Sequence, residues 1–312
     1  VHGNPASTHG PGFAARAAVE QARAQVAALI GAEPAEIIWT SGATEANNLA
    51  IKGALEFRGF PKNGKPVHIV TARTEHKCVL DTCRHLETLG ARVSYLKPDG
   101  PGGTVTPEAV LAAITPDTVL VSLMWVNNEI GAVNDIARLA PLLRARGVML
   151  HVDAAQAAGK LTIDLRILPV DLLSLSAHKL YGPKGVGALL VKSHVELAIQ
   201  LHGGGQERGL RGGTENLPAI VGFGVAAELA MAERENASGT ALLRAIALGY
   251  DISSRVSPAL GGYALSASGR DTHSHAWASS PAAPRAAQGA ARAARRAAKR
   301  IQARRRGLRP AA

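Results

Sequence analysis

Two hydrophobic periodicities alternate along this chain. From Phe13 to Ile30, the residues Ala14, Ala17, Ala18, Val19, Val26, Leu29 and Ile30 recur at helical spacing around Arg16, Glu20 and Arg23, which predicts an amphipathic helix. Short apolar runs follow at 36–40, 67–71, 92–96, 118–125, 148–152, 171–175 and 185–191, each the length of one strand. Helical patterns fill the intervals: one opening at Ser41-Gly42, one from Lys77 through Leu89, one at 107–114 with Pro107 in its first turn, and one at 135–146. Gly100–Gly103 and the glycine-rich stretch His202–Thr214 read as loops, and a final helix is expected over 215–233. Strands rich in Val, Ile and Leu that alternate with helices predict an α/β fold, with a mostly parallel sheet sandwiched by helices.

The pattern stops at about Asn236. Beyond it the sequence is Ala, Arg, Gly, Ser and Pro, and 292–309 is nearly all Ala and Arg. This divides the chain into an ordered domain, 1–235, and a tail, 236–312, expected to be poorly ordered or helical in patches. Such a composition is what GC-rich DNA encodes in a shifted reading frame.

Charge sharpens this division. The formal net charge is +11, and the tail alone holds 13 Lys/Arg against Asp251 and Asp271. Residues 1–235 therefore balance 22 charges of each sign, as an ordinary globular domain does. The arginines could attract phosphate, but Trp277, Tyr250 and Tyr263 are the tail's only stacking residues, so nucleic acid is not an expected partner. No apolar run reaches the roughly 18 residues of a membrane span. Cys78 and Cys83 lie five apart in one predicted helix, which excludes a disulfide framework and fits a reducing cytoplasm. The start at Val1, without Met or a visible signal peptide, suggests a fragment.

The candidate chemistry sits just past the apolar runs, where open α/β sheets bind ligands. Lys179 follows the run 171–175 and precedes the turn Gly182-Pro-Lys-Gly185. A lysine held there and partly desolvated is a usable nucleophile for an aldehyde, above all pyridoxal 5′-phosphate (PLP). Ser41-Gly-Ala43-Thr44 would place N–H groups and a hydroxyl at a helix N-terminus, a seat for phosphate. Asp153 could hold a pyridine nitrogen protonated. His76 could stack on the ring and move protons. Asn128 and Gln156 could bond the ring oxygen, and Ser176 and His178 could complete the phosphate seat. Arg208 and Arg211 offer planar forks for a substrate carboxylate. Taken singly, each has a plainer reading: a turn lysine, a helix start, a capping aspartate, a structural histidine, surface arginines. No metal site is assigned.

Six segments, in this order, resemble the cysteine desulfurases of iron–sulfur cluster assembly, members of the class-V aminotransferase group of fold-type-I PLP enzymes. They are Ser41–Asn48, Thr74–Lys77, Val126–Gly131, His151–Gln156, Ser176–Gly185 and Gly203–Thr214. The resemblance implies Lys179 as the cofactor-bound lysine, Asp153 on the pyridine nitrogen and His76 on the ring. It implies Ala43, Thr44, Ser176 and His178 on the phosphate, with Asn128, also substrate-facing, and Gln156 near the ring oxygen. Thr214 matches a threonine that reaches the phosphate of a partner subunit, so a homodimer is implied, as are L-cysteine as substrate and iron–sulfur scaffold or sulfur-acceptor proteins as partners.

Two departures stand out. A short segment before Gly3-Asn-Pro5 is missing. The family's sulfur-accepting cysteine belongs to a C-terminal small domain that is absent or degenerate here, and no cysteine follows Cys83. The expectation is thus a PLP-dependent cysteine desulfurase without an evident acceptor thiol. The alternatives are a PLP lyase or transferase of another amino acid, or a non-catalytic paralogue.

Overall fold

A computed structural model of the chain describes residues 3–62 and 64–236. The tail expected over 236–312 lies outside the described residues, apart from Asn236 at a helix end. In chain order the elements are α1 (Gly10–Leu29), β1 (Ile37–Thr40), α2 (Ala43–Phe57), β2 (His68–Ala72), α3 (Lys77–Thr88), β3 (Arg92–Leu96), α4 (Pro107–Ala113), β4 (Thr118–Met124), α5 (Ile136–Arg144), β5 (Met149–Asp153), β6 (Leu172–Ser176), β7 (Gly187–Val191) and α6 (Leu217–Asn236). Every expected helix and strand is present, with shifted edges. The first helix starts three residues early because His9 Nδ1 caps the Gly12 N–H and Pro11 suits the first turn. The last strand starts two residues late because Gly185 takes φ +79°, which strand geometry does not allow.

The seven strands form one sheet in the order β1-β7-β6-β5-β4-β2-β3. Six run parallel; β7 alone is antiparallel to both its neighbours, β1 and β6. Alternate side chains serve opposite faces. Val121, Leu150, Val152, Leu173 and Leu175 pack under α1, α5 and α6, whereas Ile38, Leu172 and Leu189 meet α2, and Ile69 and Leu120 meet α2 and α3. β3 is the partly exposed edge.

Close helix packing locks one layer. A Cβ on Gly224 of α6 would lie 2.8 Å from the Ala22 Cα of α1, so only glycine lets these helices approach so closely. His151 is fully buried in the sheet, between Ser122 Oγ (2.8 Å) and Ser174 Oγ (3.0 Å). Burial lowers its pKa to about 3, so it is neutral there. Among the described residues, no helix is long and apolar enough to cross a membrane.

Because β1, β2, β4, β5 and β6 point the same way, their carboxyl ends share one edge of the sheet. The segments 41–48, 74–77, 126–131, 153–156 and 176–179 all leave from that edge.

Candidate active site

Asp153 ends β5 and is 6% exposed. Its Oδ2 accepts from Asn47 Nδ2 at 2.8 Å and its Oδ1 from the Ala155 N–H at 3.0 Å. Both donors are neutral. Asn47 reaches it because it lies one helical turn past Thr44, on the buried face of α2 with Ala46, Leu49 and Ala50. The same amide nitrogen is 3.1 Å from Cys78 Sγ, and that sulfur is 3.0 Å from His76 Nδ1. Asp153, Asn47, Cys78 and His76 are therefore one connected group.

Glu75 lies beside this group. It is fully buried; Oε1 accepts the Met124 N–H at 2.8 Å, and Oε2 has no partner. Burial, followed by the field of Asp153, pushes its pKa well above the ordinary carboxylate value. Asn47 Oδ1 is also buried without a partner.

Lys179 stands on the turn Ala177–Leu180, directly after the wholly buried strand β6. Tyr181 closes that turn in the left-handed region at φ 60°. The expectation of a partly desolvated lysine is corrected here: Lys179 is exposed, because only one turn of chain separates it from solvent. Lys160 has its proton affinity lowered, first by burial and then by the charge of Lys179. Lys160 Nζ donates to Gln156 O (3.0 Å) and Gln156 Oε1 (2.9 Å). Gln156 is thus held by Lys160, on the turn after β5.

The N-terminus of α2 faces the same edge. Its cap is Gly42, at φ 156°, with no side chain to satisfy the first-turn N–H groups of Ala43 and Thr44. A Cβ on Gly187 would lie 2.6 Å from Gly42 Cα and 2.5 Å from Leu175 O, so β7 closes against this turn only through glycine. Ser176, buried, lies 2.9 Å from His178 Nδ1. Burial, with Lys179 and Lys184 nearby, lowers the proton affinity of His178.

The remaining expected residues are placed differently. Asn128 is exposed and donates to Glu129 Oε1; its neighbour Asn127 is the buried one, donating to Thr74 O at 2.8 Å. Thr214 is exposed. Arg211 pairs with Glu45 of α2 at 2.8 Å, beside the helix N-terminus. Arg208 donates to Ile37 O at 2.8 Å, at the end of β1 away from the strand tips. It lines a cleft of about 440 Å³ with Arg16, Glu20, Arg23 and Glu215.

The sequence profile of the class-V aminotransferases matches residues 1–246. The chain belongs to the class-V aminotransferase family. Within it, the chain is 57% identical over 234 residues to the cysteine desulfurase IscS of Tolumonas auensis, covering 74% of this chain and 57% of that protein. It is 57% identical over 245 residues to IscS of Pseudomonas aeruginosa, covering 77% and 59%. The chain thus spans under two thirds of the length of these curated relatives. Among solved structures, a NifS-like protein superposes with a TM-score of 0.71 at 40% identity, over 75% of this chain and 64% of that one. SspA in complex with cysteine gives 0.69 at 45% identity, over 73% and 65%.

Class-V aminotransferases carry PLP, and the residues at the strand tips fit it. A buried carboxylate lacks a cation, two buried acceptor atoms lack donors, an amine stands on the next strand's turn, and an uncapped helix N-terminus faces the same edge. Asn47, Glu75 and Lys160 were missed in the sequence. The signal for Asn47 was available: a polar residue one turn past Thr44, in the apolar stripe of α2.

Proposed function

We propose that residues 1–235 are the cofactor-binding domain of a PLP-dependent cysteine desulfurase, which takes L-cysteine to L-alanine and passes the sulfur on for iron–sulfur cluster assembly. One observation carries the reading: on adjacent strand tips, a buried aspartate without a cation, Asp153, neighbours the turn that bears the amine of Lys179. Bound PLP supplies an aldehyde for that amine and a ring that draws electrons from a substrate's α-carbon.

The chain's own residues do the rest. Asp153, held by Asn47 and the Ala155 N–H, would keep a proton on the pyridine nitrogen of bound PLP. Lys179 is exposed on a short turn, where its Nζ would hold the aldehyde and could move the α-proton of a substrate. His76 would assist in moving that proton. Ala43, Thr44, Ser176 and His178 bind the phosphate; Gln156 and Asn128 serve the ring-oxygen side. Arg208 and Arg211 bind substrate carboxylate only after leaving Ile37 O and Glu45. Thr214 reaches the phosphate bound by a second copy, making a cytoplasmic homodimer that hands sulfur to acceptor proteins. The names of the relatives and the cysteine in the SspA structure support this substrate.

Neither thiol of this chain suits sulfur attack. Burial pushes Cys83 up to about 12 and raises Cys78, so both stay protonated near neutrality. That observation favours one second reading, a PLP lyase or transferase on another amino acid, which needs no protein thiol.

The test is the absorbance of the purified chain with PLP, before and after L-cysteine. A visible band that Lys179→Ala abolishes is expected, with little sulfur transferred. Alanine or sulfide release without sulfur held on the protein would select the second reading. Absence of the band would remove both and leave a non-catalytic paralogue.

A further inference from the structure

His76 caps the helix it precedes. Its Nδ1 accepts the Cys78 backbone N–H at 3.2 Å. An amide N–H can only donate, so Nδ1 must present its lone pair. Cys78 Sγ lies 3.0 Å from the same nitrogen. On its other side, Sγ is 3.1 Å from Asn47 Nδ2, which can only donate; the sulfur accepts there, and its hydrogen is free to turn to Nδ1.

The orientation of the Asn47 amide is set by Asp153. An ionised carboxylate only accepts, so the atom 2.8 Å from Oδ2 must be the NH2 group. The chain pays for that choice, since Asn47 Oδ1, on a residue 0% exposed, is left unpartnered in the same cluster.

We propose that Cys78 is a positioning residue: its thiol links the Asp153–Asn47 pair to His76 Nδ1 and, together with the backbone N–H that caps α3, keeps the His76 proton on Nε2. The inference rests on the reading of His76 as the histidine at the cofactor. Its physical content is one of donor and acceptor order. Asn47 donates to both Asp153 and Cys78; Cys78 donates to Nδ1; the ring then has one nitrogen left to carry a proton, in a fixed orientation. Burial and the nearby carboxyls of Asp153 and Glu75 raise the thiol pKa, which keeps the S–H available as a donor.

The experiment is nitrogen NMR of the histidine rings in the full chain without PLP, with His76→Gln identifying the resonance. Wild type and Cys78→Ser should both hold His76 as the Nε2–H form. Cys78→Ala should lower the ratio of Nε2–H to Nδ1–H roughly fivefold, the size of one ordinary hydrogen bond. If Cys78→Ala does not fold, Cys78→Val keeps the volume, removes the donor and should give the same loss. A ratio unchanged in either apolar variant, or lost equally in Cys78→Ser, would overturn the proposal. The same samples, titrated with PLP, separate the two readings. A chain that shows the tautomer shift but no cofactor band keeps the hydrogen-bond link and loses the enzymatic reading. A band without the shift does the reverse.

Discussion

Glu207 and Asp153 are both 6% exposed, yet their partners could not differ more. Glu207 is saturated inside the chain. Its two oxygens take Arg23 Nη1 and Nη2 at 2.9 and 3.0 Å, and Oε2 also accepts the Trp39 N–H at 2.7 Å. Arg23 in turn donates to Ile37 O at 2.7 Å and lies over the Trp39 ring. Asp153 has two neutral donors and, beside it, two buried atoms with none. A buried carboxylate is tolerated only when its charge is answered. Glu207 finds that answer 184 residues away in the same chain, so it is structure. Asp153 is left short of positive charge at the edge where α/β sheets hold ligands, which is what a site for a cationic ring demands.

Three changes would break or sharpen this contrast. The largest effect is expected from Glu207→Ala, which strands Arg23 and the Trp39 N–H in the interior. It should cost about 3–5 kcal/mol, read from urea unfolding. A loss below about 1 kcal/mol would mean that the pair is not the structural anchor its geometry indicates. Asp153→Asn should behave oppositely. Stability should change by no more than about 1 kcal/mol, since Asn47 can turn its amide to match, while PLP affinity falls roughly ten- to a hundredfold for lack of the charged partner. Equal stability losses in the two variants would erase the distinction between them.

The smallest test concerns a group that belongs to neither carboxylate. His151 is neutral in the folded chain down to about pH 3, against 6.5 for the free side chain. Between those values the unfolded chain binds the extra proton, so stability falls as pH falls through that window. His151→Asn should remove about 1.4 kcal/mol per pH unit from the slope there. An unchanged slope would show that His151 is charged within the sheet.

Much of this was open to reading in the bare chain. The period of the apolar residues located each helix and strand, because the choice of faces along an element is a local matter. The order of six polar segments after apolar runs located Lys179, Asp153, His76 and Thr44 at strand ends. With parallel strands, those ends had to share an edge. Residues such as Arg208 and Arg211 show where such reading stops. Their type suggested forks for a substrate, but whether an arginine is spent depends on what folds against it, here Ile37 O and Glu45. The exposure of Lys179, the twofold grip of Asn47, the raised pKa of Glu75 and the Arg23–Glu207 pair are all of this kind. Periodicity reports which face of a helix is buried. It carries no information about which donor, distant in the chain, meets which acceptor, and that pairing separates a carboxylate that holds the fold from one left short of positive charge at the strand tips.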